Sequence, residues 1–189
     1  MRPVSVHTHI SASREEVFDY VADLAGRPAY CDHYMGDFHL TRPNSSGKGA
    51  AARFRLDAPF SAQWAEIAVA EHDRPRRVAE AGAIGRLGRT RFGAVYDFTS
   101  ENPLLTRVDL TTWSEPGTRG DALRESLGVR RWLRRQSQVA LERLRLIFEE
   151  TPDAPLARVT VAGFEPAKAP RFGASVSRGD LDRAATRDG

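Results

Sequence analysis

The chain holds one cysteine, Cys31, and two lysines, Lys48 and Lys168; its other basic residues are arginine. A lone thiol excludes a disulfide framework and every Cys-x-x-Cys zinc or redox motif. No stretch approaches the roughly 18 consecutive apolar residues of a membrane-crossing helix. Met1-Arg2-Pro3 runs directly into alternating residues with no apolar h-region, so no signal peptide is expected. An excess of one charge is also lacking. The 28 basic and 25 acidic residues leave a net +3, too even for the strongly basic face typical of nucleic-acid binding. These absences predict a cytoplasmic protein with no nucleic-acid partner and no membrane insertion, monomeric or weakly homodimeric. At 189 residues the chain can bury one core without disulfides or a structural metal.

What is present is clear periodicity. Residues 3–10 alternate, with Val4, Val6, Thr8 and Ile10 against Ser5, His7 and His9, which predicts a half-buried strand. Ser13-Arg14-Glu15-Glu16 is a capping box. Val17, Tyr20, Val21 and Leu24 follow at helical spacing, so a helix is expected to end near Gly26, with a second short helix or turn over Pro28–Tyr34. Aromatic and β-branched runs separated by turn residues then predict strands at 36–42, 49–57, 61–72, 76–83, 89–99 and 105–115. After a short helix at 121–127, residues 129–150 plot as one amphipathic helix. Val129, Trp132, Leu133, Gln136, Val139, Ala140, Leu144, Leu146 and Ile147 form its apolar arc; Arg130, Arg131, Arg134 and Arg135 lie opposite. Residues 151–189 break the pattern with four prolines and read as a tail, with one candidate short strand at 158–164. Residues 1–150 are the expected domain.

Few motifs carry chemistry. His7 and His9 share a strand face but lack a third ligand in register, so no metal is expected. Cys31 beside Asp32-His33 reads as a free, partly buried cysteine, because neighbours in sequence rarely face each other as a nucleophile and its base must. The glycine-rich stretches 45–49 and 82–88 lack the strand–loop–helix setting of phosphate loops and read as turns.

The order strand, two helices, six strands, long helix resembles the helix-grip fold of the START-like (SRPBCC) superfamily. The text of Ile10–Leu24, Thr106–Trp113 and Arg131–Arg135 resembles its bacterial polyketide cyclase/dehydrase and lipid-transport-like branch. The resemblance covers residues 3–150. It implies an α+β fold: a seven-stranded antiparallel sheet curved around a long C-terminal helix, with two short helices after strand 1. It also implies a cavity between sheet and helix that takes a hydrophobic, lipid- or polyketide-like molecule without a cofactor. The expected ligand-binding residues are Tyr20, Phe54, Trp64, Ile67, Phe92, Tyr96, Trp113, Trp132, Gln136 and Ala140, each also readable as ordinary core. Gln136 stands out because a buried amide must be bonded. The alternative is a cyclase/aromatase-like enzyme in the same cavity, with Arg53, Arg55 or Arg91 paired with Tyr30, Tyr34 or Tyr96; no catalytic residue is assigned. A third reading is partner binding through the arginine face of the last helix.

Overall fold

The structure, a computed structural model, describes residues 3–59, 61–85, 88–117, 128–149 and 160–161. The predicted helix at 121–127 and most of the tail lie outside them.

Strand β1 (Val4–Ile10) follows its alternation: Val4, Val6 and Ile10 are buried, while Ser5, His7 and His9 are exposed. Helix α1 (Arg14–Ala22) starts at the capping box, where Glu16 N–H donates to Ser13 Oγ and Ser13 N–H donates to Glu16 Oε2 at 3.1 Å. The helix stops four residues earlier than the spacing predicts. Asp23 leaves the helical conformation and its carboxylate accepts from Ala25 N–H at 3.0 Å, capping a 3-10 turn over Leu24–Gly26. Helix α2 (Pro28–Cys31) follows at once, with proline at its first position, where a missing N–H costs nothing.

Strands β2 (Met35–Leu40), β3 (Ala51–Ala58), β4 (Ser61–Asp73), β5 (Arg77–Ile84), β6 (Thr90–Asn102) and β7 (Leu105–Glu115) form an antiparallel meander. Strand β1 pairs with β7, Val4 opposite Thr112, so the order is β1-β7-β6-β5-β4-β3-β2. Strand β8 (Thr160–Val161), inside the candidate 158–164 segment, adds in parallel to β2. The fold is α+β, a curled seven-stranded antiparallel sheet with a C-terminal helix packed on it and two short helices after β1, as expected. The curl depends on glycine where neighbouring groups come close. A Cβ at Gly82 would lie 2.2 Å from the Glu66 carbonyl and 2.7 Å from the Phe92 ring.

Helix α3 (Arg130–Glu149) packs on β1 and α2. Its most buried line is Ser137, Ala140, Leu141 and Leu144. The expected arc is therefore rotated by about one residue: Gln136 is only half-buried, and the polar residue at the centre of the packed face is Ser137. The two halves of the helix have different neighbours. Val129, Trp132 and Leu133 face a cavity, whereas the second half packs on solid core, so a single averaged arc describes neither half. No helix among the described residues is long and apolar enough to cross a membrane.

Helix α3 is also tied to the turn that follows α2 through a histidine. His33 Nε2 donates to the Gln136 carbonyl at 3.3 Å, and its Nδ1 is buried without a partner. Burial holds the imidazole below its usual pKa, partly offset by that hydrogen bond; Arg143 lowers it further and Asp32 raises it. A base with a depressed folded-state pKa binds fewer protons folded than unfolded, so its contribution is complete above about pH 6.5 and declines as pH falls toward the lower value. Urea midpoints should accordingly fall below pH 6.5, and His33→Gln should flatten that part of the profile. An unchanged slope in the variant would exclude His33 as its source. The separate loss at lower pH belongs to carboxyls such as Glu16 and Asp19. Ser13 holds the first, and Arg74 the second, below the usual range.

Candidate functional site

Between the inner face of the sheet and the first turns of α3 lies a partly open cavity of about 150 Å³. Its wall is mostly carbon. Phe54, Ile67, Phe92, Leu110 and Trp132 contribute, with Leu56 and Ile84 from neighbouring strands. An apolar space of this size stays dry in other proteins and accepts a benzene-sized molecule.

At one side the wall turns polar. Arg27, placed by the 3-10 turn, is fully buried, as is Glu80 to within a few percent. Its Nη1 donates to Glu80 Oε2 at 3.1 Å and to the Tyr96 hydroxyl at 3.2 Å. Nη2 donates to Glu80 Oε1 and to the Val21 carbonyl at 3.4 Å. The guanidinium also lies 5.2 Å from the Tyr96 ring centre and 5.5 Å from that of Tyr30, within cation–π range. Burial is the largest single influence and opposes its charge, but the Glu80 carboxylate, Tyr30 and Tyr96 together overcome it and hold Arg27 well above its ordinary range. Burial likewise pushes the phenols of Tyr30, Tyr34 and Tyr96 up, so each keeps its proton near neutrality. Two polar atoms on cavity-lining residues, Arg27 Nε and Thr112 Oγ1, are buried without a hydrogen-bond partner. Buried polar atoms are rarely left so, and both lie behind the cavity surface rather than on it.

Six of the ten residues expected around the ligand border this cavity: Phe54, Ile67, Phe92, Tyr96, Trp113 and Trp132. Four do not. Tyr20 packs on Tyr30 and Phe148 on the α1 side. Ala140 is buried in the solid part of the core, and Gln136 sits at its flank. Trp64 is 45% exposed on the outer face, with Arg53 4.8 Å from its ring centre. Trp64 and Ile67 are three residues apart on one strand, so period-2 alternation allows only one of them inside. Trp113 borders the cavity although it shares the outward phase of Asp109 and Thr111. It stands opposite Gly93, and its indole crosses the space a Cβ there would take.

The arginines expected for a catalytic pair are also elsewhere. Arg53, Arg55 and Arg91 are exposed, and Arg55 bonds Asp37 and Asp57 outside the sheet. The buried arginine is Arg27. Its neighbours Gly26 and Pro28 suggest only a turn, but Glu80 carries a readable signal: it shares the inward phase of Val78, Gly82 and Ile84. Cys31 is fully buried, and burial pushes its thiol up to about 12, which leaves almost no thiolate for nucleophilic work near neutrality. His7 and His9 project from the outer face, His9 bonding Glu101 at 3.0 Å. Among the described residues no three of His, Cys, Asp and Glu come together to hold a metal.

The fold, a curled antiparallel sheet with a terminal helix packed on it, is shared with several solved structures. No family model matches the sequence, and no curated protein matches it in sequence. A protein of Thermus thermophilus superposes with a TM-score of 0.61 at 18% identity, over 79% of this chain and 99% of that one. A hypothetical protein of Helicobacter pylori gives 0.61 at 15%, over 78% and 88%. DynU16, a protein of the dynemicin biosynthetic locus, gives 0.54 at 19%, over 79% of this chain and 48% of its own. Identities this low establish a common fold and nothing about activity.

Proposed function

We propose that the protein is a START-like (SRPBCC) domain that binds a small, predominantly apolar molecule with one polar group in the cavity between sheet and α3. The observation that carries this reading is the apolar space of about 150 Å³ with the Arg27–Glu80–Tyr96 cluster set into its wall. Volume argues for a guest of about one ring with a short arm rather than a long acyl chain, since drug-sized guests need roughly 300 Å³ or more. Polarity argues for one oxygen on that guest, on the side where Arg27, Glu80 and Tyr96 form the wall.

A second reading, a cofactor-independent cyclase-like catalyst in the same cavity, draws support from the titratable groups on the wall. Glu80 is a poor general base because Arg27 occupies both its oxygens. The neutral Tyr96 hydroxyl is the better placed proton donor.

The test is a thermal-shift and calorimetric screen with substituted phenols and monocyclic ketones. Ala94, on the inward phase of β6 and on the cavity wall, should tolerate Ala94→Phe, which fills the space. Binding should drop at least tenfold with the melting point little changed. Undiminished binding in Ala94→Phe, or no binding by the parent protein to any compound, overturns the proposal.

A further inference from the structure

The arginines around this cavity differ from those elsewhere. Across the sheet, arginines stand against carboxylates: Arg55 on Asp37, Arg74 on Asp19, Arg77 on Asp97 and Arg107 on Asp109, at 2.7 to 3.1 Å. In the second half of α3, Arg143 pairs with Asp32 and Arg145 with Glu142. At the start of α3 the pattern stops. Arg130, Arg131, Arg134 and Arg135 lie on the solvent side of the helix, and among the described residues none has an ion-pair partner. Arg91, near the start of β6, is also exposed and has no ion-pair partner among the described residues; Glu115, exposed as well, stands opposite it in register.

Helix stability does not explain four cations within two turns, because positive charge in a first turn opposes the macrodipole. Their place in the fold offers another reason. In the antiparallel order the β3–β4 turn, the end of β5, the starts of β2 and β6, the end of β7 and the start of α3 lie at one end. The cavity reaches that end, bordered there by Pro59, Ile84, Ser114 and Val129. The arginines occupy the α3 face opposite Val129, Trp132 and Leu133, in the same first turns of the helix whose inner side borders the cavity.

We propose that this end of the protein docks on the anionic surface of a lipid bilayer, the arginine cluster on headgroup phosphates and the cavity rim toward the acyl region. A bilayer fits better than a nucleic acid. The cations are confined to about two helical turns, whereas a duplex asks for charge spread along a groove or backbone track. They also sit at the end of the fold that the apolar cavity reaches, which a polyanion has no use for and a membrane does. The purpose of docking rests on the proposed function: an apolar guest partitions into bilayers, so docking brings the cavity to its reservoir. Adsorption of this kind requires no insertion of a helix.

The experiment is sedimentation with phosphatidylcholine vesicles, with and without phosphatidylglycerol. Each basic residue near an anionic surface strengthens binding about fivefold. The quadruple variant Arg130→Gln/Arg131→Gln/Arg134→Gln/Arg135→Gln should therefore lose about a hundredfold or more in affinity for the anionic vesicles. The control Arg76→Gln/Arg77→Gln, at the β4–β5 turn on the opposite end, should retain it. Salt at about 0.5 M should abolish the difference by screening, and circular-dichroism melts should show both variants folded. Equal binding to neutral and anionic vesicles, equal loss in variant and control, or tighter binding to a DNA duplex than to the anionic vesicles would each overturn the proposal. Ala94→Phe separates the two readings: docking predicts full vesicle binding by that variant even where its guest binding is lost.

Discussion

Glu80→Gln is expected to be among the most damaging single substitutions in this protein, with Arg27→Leu close to it. Each removes one partner of an ion pair whose side chains are 1% and 2% exposed. The remaining group cannot reach water, and breaking a buried pair from one side costs about 3–5 kcal/mol. Arg27→Leu carries a further penalty, because the Val21 carbonyl and the Tyr96 hydroxyl lose a donor in the same stroke. Urea unfolding of the two single variants and of Arg27→Leu/Glu80→Leu forms a double-mutant cycle. The double variant should be less destabilised than the sum of the singles, since replacing both charges with carbon removes the unpaired charge as well as the pair. Additive losses would mean that the two side chains are not coupled, contrary to the bonds between them.

The second large effect is expected at Gly82. A methyl group there would lie 2.2 Å from the Glu66 backbone oxygen and 2.7 to 2.8 Å from two Phe92 ring carbons. The ring can swing aside; the carbonyl belongs to the neighbouring strand and cannot move without uncurling the sheet. Gly82→Ala should therefore cost about 2–4 kcal/mol, at the upper end of the range for overpacking. It should also push Phe92 into the cavity and weaken guest binding. A melting point within a degree or two of the parent protein would show that the curl at β4–β5–β6 has slack.

The parts of the fold and site are not equally legible in the sequence. The capping box at Ser13–Glu16 and the alternation of β1 and β7 depend on neighbours a few residues away, so they can be read directly. So can the inward phase of Glu80, once β5 is placed. Arg27 cannot. Its burial is created by α1, β5 and β6 closing over a turn, and nothing within ten residues of it reports that. Trp64 departs from expectation for another reason. Its aromatic identity suggests a lining residue, but phase decides, and Trp64 and Ile67 cannot both point inward. Trp113 shows the converse: it borders the cavity although its phase is outward, and its indole lies over Gly93, where any side chain would collide with it. On α3 the rotation from Gln136 to Ser137 reflects a helix with two different neighbours, solid core at one half and a void at the other, which one averaged hydropathy arc cannot represent.

The pairing of β1 with β7 has a kinetic consequence. Val4 is hydrogen-bonded into a ladder with Thr112 as its opposite residue, so β1 is synthesised well before the strand it needs. Closing that loop of about a hundred residues is entropically slow. Until it closes, β1 exposes two bare edges and α3 lacks the surface on which it packs. The nascent chain is most open to aggregation during this interval, and a chaperone that shields residues 4–10 would act at the step where the sheet is still incomplete.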